Sequence, residues 1–135
     1  MTPAKTLAAA TLTLTLALAP GAALAEAHGN DLVHSRKFKG IVYMMNQAHM
    51  ALYTYDRDEP GVSNCYGQCA ENWPPVILDP GTELGENYSL IPRKDGRMQA
   101  AYKGRPLYRY VGDKKPGDMN GDGVGGVWRL ARPLP

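Results

Sequence analysis

Cysteine is scarce in this chain. Cys65 and Cys69 are the only two in 135 residues, beside one phenylalanine and two tryptophans. No C-x-x-C-H stretch occurs, which excludes a c-type haem attachment. Neither H-E-x-x-H nor a Walker loop is present, so the zinc-protease and P-loop classes are excluded as well. Ser63 lies in no nucleophile-elbow pattern. The carboxylates are scattered, and sequence pairs no two of them across a cleft. The expectation is that the protein is not an enzyme.

Long apolar runs are also missing, with one exception at the start. Leu7 to Ala19 carries no charge, follows Lys5, and is broken by Pro20-Gly21. Ala23-Leu24-Ala25 then supplies small residues before a cleavage point. This pattern predicts a secretory signal peptide over 1–25, removed after Ala25. The run is short for a membrane span, so no transmembrane segment is expected after cleavage; an uncleaved membrane anchor is the alternative. No Cys stands near the cleavage point to carry a lipid. The predicted location is periplasmic or secreted.

Charge of one sign is absent too. Removing 25 residues leaves 110, with 14 basic against 13 acidic side chains, and no basic patch stands out. Nucleic acid is therefore not the expected partner. An envelope protein or a small ligand is expected instead, of unknown identity.

What the chain does have is glycine (15), proline (11) and tyrosine (8). That composition suits short strands and many turns better than long helices. It also has a repeat. Tyr53, Tyr55 and Asp58 recur as Tyr108, Tyr110 and Asp113, and Trp73 recurs as Trp128, each at an offset of 55; Pro60-Gly61 recurs as Pro116-Gly117 at 56. Aromatics, a turn and a Trp in the same order indicate tandem duplication of a unit of about 50 residues. The reading is a tail and lead-in over 26–40, a first repeat over about 41–78, a connector over about 79–95 and a second repeat over about 96–135.

Each repeat is expected to open with a hairpin. The first joins Ile41–Met45 to Met50–Tyr55 through Asn46–His49. The second joins Met98–Tyr102 to Pro106–Val111 through Lys103-Gly104-Arg105. A Trp-bearing strand should close each unit. In Leu52–Arg57, Tyr53 and Tyr55 share one face and Leu52, Thr54 and Asp56 the other. The rings would bury large areas with hydroxyls at the rim, and the Asp would cap the turn that Pro-Gly continues. The fold class is thus mostly β: one small domain of two tandem hairpin-containing repeats sharing a core.

Several motifs combine here. They are Leu52-Tyr53-x-Tyr55-x-x-Asp58, Cys65-x-Gly67-x-Cys69-Ala70-x-x-Trp73-Pro74-Pro75, Tyr102-x-Gly104-x-Pro106-Leu107-Tyr108-x-Tyr110-x-x-Asp113, Gly121-x-Gly123 and Gly126-Val127-Trp128. Together they resemble the bacterial secreted or lipoprotein family with the Yx(F/W/Y)xxD motif, also called the secreted repeat of unknown function. The resemblance runs from about Val42 to Leu130. It implies export and a small repeat fold, and implies no activity. The chain lacks the lipobox Cys of the lipoprotein members.

Three candidate sites remain. Cys65-x3-Cys69 closes a five-residue loop, and a disulfide there would contribute about 2 kcal/mol on the chain-entropy model. The alternative is a copper or thiol-redox pair, since two thiolates with a soft partner suit Cu(I). Asp118-x-Asn120-x-Asp122-Gly123 matches the opening of a calcium loop, but its twelfth position is Arg129 where a bidentate Glu is required. A lopsided site using Asp113 or Asp118 is the variant, and a plain Asp/Asn/Gly turn the alternative. Lastly, cleavage after Ala25 would leave Glu26-Ala27-His28, whose amine, amides and imidazole make a square-planar Cu(II) or Ni(II) chelate. His49 with Met44, Met45 and Met50 offers soft Cu(I) donors, against the commoner role of Met as core filler. No cofactor is expected overall; copper and calcium are the ones to consider. The two functional readings are a non-enzymatic binding or structural module of the envelope, and a copper-binding or thiol-redox accessory protein.

Overall fold

The computed structural model describes residues 29–135, and before them only Thr11 and Thr13. The expected cleavage point after Ala25 and the His28 chelate lie outside the described residues. One helical turn, α1 (Gly29–Leu32), leads into β1 (Val33–Phe38) and β2 (Ile41–Asn46). Then come β3 (Tyr53–Tyr55), α2 (Gln68–Asn72), β4 (Ile77–Leu78), β5 (Tyr88–Pro92), β6 (Met98–Tyr102), β7 (Arg105–Pro106) and β8 (Trp128–Leu130). Mostly β is therefore correct, in several small antiparallel sheets.

Two hairpins share one turn chemistry. Lys39-Gly40 joins β1 to β2 and Lys103-Gly104 joins β6 to β7, with φ of 48° and 80° in the first and 45° and 79° in the second. Positive φ at both central residues is the type I′ turn, whose twist matches that of the strands, and Gly fills the second position without a steric cost. β6 also pairs with β5 on one side and with β4.

The structure departs from the expected organisation at four places. Residues 33–38, read as lead-in, form β1 and pair with β2 in register from Val33↔Asn46 to Phe38↔Ile41. The expected first hairpin is reduced to the Met45↔Ala51 bridge and a bond from Leu52 N to Met44 O (2.9 Å). The reason is competition: β3 pairs with β8, Tyr53↔Leu130 through Tyr55↔Trp128, and with Tyr108. The stretch read as connector contains β5, a full partner of β6. Finally, Trp128 lies on a strand as expected, but Trp73 follows the short helix α2.

A central feature is an exchange of chain between the repeats. Val76, at the end of the first repeat, accepts from Ala100 N (2.8 Å) and donates to Leu107 O (3.0 Å) in the second. Ala131, at the end of the second, accepts from Met44 N (2.8 Å) and donates to Leu52 O (2.9 Å) in the first. Val76 and Ala131 are again 55 apart. Each repeat is completed by the tail of the other. The pseudo-twofold axis passes between Tyr53 and Tyr108, which bond each other's backbone reciprocally at 2.8 and 3.0 Å.

Period-2 alternation along Leu52-Tyr53 holds in direction, but both faces are buried. Tyr53 enters an aromatic cluster with Trp73, Tyr108 and Trp128. Leu52 enters an aliphatic cluster with Val33, Met44, Val76, Ala100 and Leu107. Two small cores on opposite faces of one central strand pair replace the single core expected from sequence. Large aromatic side chains each contribute roughly 4–6 kcal/mol of burial before conformational entropy is deducted. The aromatic cluster therefore carries much of the stability.

Candidate functional site

The repeated motif residues converge on the pseudo-twofold axis. Trp73 and Trp128 stack face to face, with centroids 3.8 Å apart and planes 4° from parallel. Tyr55 of the first repeat stacks on Trp128 of the second at 4.3 Å, and Tyr110 of the second on Trp73 of the first at 4.2 Å. The result is a four-ring column, Tyr55–Trp128–Trp73–Tyr110, with alternate repeats contributing. Tyr53 and Tyr108 meet the column edge-on, at 5.4 Å from Trp73 and 5.2 Å from Trp128. Positive ring edges against negative faces suit this arrangement.

The hydroxyls are buried, not at the rim as sequence suggested, and they too cross between repeats. Tyr53 Oη donates to Asp113 Oδ2 at 2.5 Å, and Tyr108 Oη donates to Asp58 Oδ2 at 2.7 Å. The other carboxylate oxygen of each Asp accepts a loop amide: Asn120 N for Asp113 (2.9 Å) and Asn64 N for Asp58 (2.7 Å). The Asp thus caps its own loop, as expected, and also holds the other repeat's Tyr. Burial, then the bonded Asp113 carboxylate, raises the Tyr53 pKa far above that of free tyrosine. Burial raises that of Tyr108 as well, with Asp58 adding to it and the Ser63 bond opposing. Both phenols keep their protons at any physiological pH.

Around Asp58 the symmetry breaks. Arg93, with a fully buried side chain, donates from Nη1 to Ser63 Oγ (2.9 Å) and Gln99 Oε1 (2.7 Å), and from Nη2 to Cys65 O (2.7 Å). Ser63 Oγ lies 2.6 Å from Tyr108 Oη. Since Tyr108 spends its proton on Asp58, Ser63 is the donor in that pair. A single-direction chain runs Arg93→Ser63→Tyr108→Asp58, from a buried cation to a half-buried carboxylate. Such ordered chains strengthen one another in a low dielectric. Burial raises the Asp58 pKa, with the bonds from Tyr108 and Asn64 and the charge of Arg93 opposing. On the other half, Gly121 N takes the place of Ser63 against the Tyr53 hydroxyl, at 3.2 Å. Sequence reading missed Arg93 and Ser63. A lone Arg flanked by Pro92 and Lys94 gives no signal that it is buried.

Asp58 opens onto a cleft of about 340 Å³. Asp56, Asp58 and Glu59 line it from one turn and Lys103 and Arg105 from another, and Tyr55, one end of the ring column, lines it as well. The two turns that form its walls belong to different repeats and are tied by Gly61 N donating to Gly104 O at 2.7 Å. Asp56 is already paired with Arg129 Nη2 at 2.9 Å.

The other sequence candidates fall elsewhere. Cys65 and Cys69 form a disulfide, with Cys65 fully buried. The pair is present as a clip ahead of Trp73, and its sulfurs are joined to each other instead of standing free as metal ligands. In the 118–123 loop, Asp118 Oδ2 accepts from Lys114 N (2.8 Å) and Lys115 N (3.2 Å), which lowers its pKa. Asp122 Oδ1 accepts from Leu130 N (3.0 Å), and Asn120 bonds through its amides. These oxygens tie turns together. Gly121 is required there, since a Cβ would come within 2.8 Å of both the Trp73 and Tyr53 rings. His49 is exposed in its turn at φ 63°, while Met44 and Met45 are buried on opposite faces of β2. Met44 therefore cannot share a site with Met45 and His49. Among the described residues, no three His, Cys, Asp or Glu side chains converge as a metal site, and no helix is long and apolar enough to cross a membrane.

No curated protein and no solved structure matches the chain. A family model does match, over residues 43–77 and 89–132, so both copies of the motif fall within it. The chain belongs to the family described as a secreted repeat of unknown function.

Proposed function

We propose that the protein is a non-enzymatic exported binding module of the cell envelope, and that the cleft beside Asp58 is its binding site. The observation that supports this is the cleft's construction. Its walls come from both repeats, the ring column fixes one side, and the buried chain from Arg93 ends on its carboxylate. Rigid walls reduce the ordering cost of binding. Carboxylates facing Lys103 and Arg105 suit a small zwitterion or a peptide segment that carries both signs of charge. The chemistry on offer is recognition. A half-buried carboxylate already accepting two hydrogen bonds is a poor general base, and no nucleophile stands beside it.

The test is a titration of the isotope-labelled protein with a Lys-Glu dipeptide, followed by NMR. The expected result is saturable shifts at Tyr55, Glu59, Lys103 and Arg105, reduced at least tenfold in affinity by Arg105→Ala, with the dipeptide recovered intact. Absence of saturable shifts for this and other oppositely charged dipeptides, or cleavage of the peptide, would remove the reading.

A further inference from the structure

Tyr43 is fully buried, and its hydroxyl is the one buried side-chain nitrogen or oxygen without a hydrogen-bond partner among the described residues. Native proteins leave few such groups, because each costs about 1–3 kcal/mol of lost hydration. The duplicated scaffold does not account for it. Met44 and Ala100 make equivalent backbone bonds, so the counterpart of Tyr43 is Gln99, which spends its side-chain amide on Arg93 and Leu107 O; the Tyr43 hydroxyl makes no such bond. A phenylalanine would fill the same space without that cost.

Tyr43 lines a cavity of about 250 Å³ with Arg36, Lys37, Phe38, Met45, His49 and Pro116. The register Arg36↔Tyr43 puts these two side chains on one face of the β1–β2 ribbon. Phe38 is 40% exposed and lies over Gly117, where a Cβ would come within 2.7 Å of its ring. The hydroxyl is covered, so a ligand reaches it by displacing an exposed rim side chain, of which Phe38 is the largest apolar one. The cavity shares no lining residue with the cleft beside Asp58.

Charge selects the ligand. Arg36 and Lys37 are exposed cations at the mouth. Asp113 and Asp118 keep their charge but have donors on their oxygens, Tyr53 and Asn120 for the first and the Lys114 and Lys115 amides for the second, so the unpaired charges at the mouth itself are the two cations. A cation is disfavoured by the charges of Arg36 and Lys37, and Arg36 Nη1 lies 3.5 Å from His49 Nε2, one of the two ring nitrogens that can ligate a metal. Burial, with Asp113 adding to it, raises the Tyr43 pKa, so the phenol stays a donor. Phe38, Met45 and Pro116 supply apolar walls.

We propose that this cavity binds a small organic carboxylate with a compact apolar body, its oxygens held by the Tyr43 hydroxyl and the Arg36 guanidinium. The guanidinium fork matches a carboxylate, and the phenol gives the buried end of the site a donor with no other use.

The experiment is an NMR titration of the exported protein with benzoate, with inorganic phosphate and benzylamine as comparisons. Benzoate should give saturable shifts at Arg36, Tyr43, Met45, His49 and Gly117. Tyr43→Phe should fold at least as stably as the parent, having lost only an unpartnered hydroxyl, and should bind benzoate about tenfold more weakly or worse. Arg36→Gln should weaken it likewise. No saturable shift with benzoate, equal binding by Tyr43→Phe, or phosphate binding as tightly as benzoate would each overturn the proposal; the last would mean surface charge alone. Shifts at Tyr55 and Lys103 instead would report on the other cleft.

Discussion

Tyr53 of the first repeat and Asp113 of the second are joined by a 2.5 Å hydrogen bond, and Tyr108 and Asp58 repeat the bond in the opposite sense at 2.7 Å. The motif is therefore not a local unit. Its Tyr and its Asp, five residues apart in sequence, each bind the other repeat's copy.

Tyr53→Phe removes the donor and leaves the Asp113 carboxylate buried with only the Asn120 amide. Hydrogen bonds to charged groups are worth about 1.5–3 kcal/mol. A loss of that size is expected in urea unfolding, at unchanged slope. Tyr108→Phe should cost a similar amount, because Ser63 and Asp58 lose a partner there as Gly121 N and Asp113 do at Tyr53. A Tyr53→Phe protein as stable as the parent would show that the bond carries no net stability.

The exchanged tails make a second expectation. Residues 29–78 contain Leu52 but not the Ala131 that bonds it; residues 79–135 contain Leu107 but not the Val76 that bonds it. Each segment alone should lack cooperative unfolding. Mixed in equal amounts, they should recover the strand signature by circular dichroism. A cooperative transition in either segment by itself contradicts the interlocked arrangement.

How much of this could be read from sequence follows from what an offset means. A spacing of 55 between Tyr53 and Tyr108, or between Trp73 and Trp128, says that two residues are equivalent. It does not say whether each contacts its own copy or the other, so the motif was legible and the exchange was not. β1 was missed because Val-His-Ser-Arg-Lys-Phe shows no alternation: it is an edge strand, and only Val33 is buried. The Trp73 strand was wrong because the unit was assumed identical throughout, while Cys65–Cys69 and α2 reshape the first copy. Asp118, Asn120 and Asp122 resemble ligands because turn chemistry and calcium chemistry draw on the same oxygens. Arg93 and the hydroxyl of Tyr43 required coordinates, since neither burial nor an unmet hydrogen bond leaves a pattern in one sequence.

Gly121 tests the packing of the aromatic cluster directly. Its backbone lies against both Trp73 and Tyr53, and an added methyl would come within 2.8 Å of each ring. Neither ring can retreat, as Trp73 is stacked on Trp128 and Tyr110, and Tyr53 is bonded to Asp113. Gly121→Ala should cost about 1–3 kcal/mol, the range for overpacking a dense core. Gly96→Ala, where no atom lies within 4 Å, should show only the smaller penalty of its φ of 84°. Equal losses at the two sites would mean that the aromatic cluster yields more readily than its stacking implies.

Acid should act on Asp58 and Asp95 with opposite signs. Burial raises the Asp58 pKa above its unfolded value of 3.8, so the folded state binds the proton more readily. As pH falls through the folded pKa toward 3.8, Asp58 adds stability; as pH rises again, that contribution is lost. Bonds and charge from Arg97 instead hold the exposed Asp95 carboxyl at about 2. Its contribution is present above 3.8 and lost as pH falls toward 2, and solvent screening keeps it small. Carboxyl-carbon NMR should therefore show Asp58 titrating above the usual aspartate range and Asp95 well below it. Asp58→Asn should remove the first effect and add a cost at neutral pH, because one amide oxygen cannot accept from both Tyr108 and Asn64 N. An Asp58 midpoint at or below 3.8 would show that Tyr108, Asn64 and Arg93 outweigh burial. The chain from Arg93 would then stabilise the charged carboxylate instead of offsetting part of its desolvation.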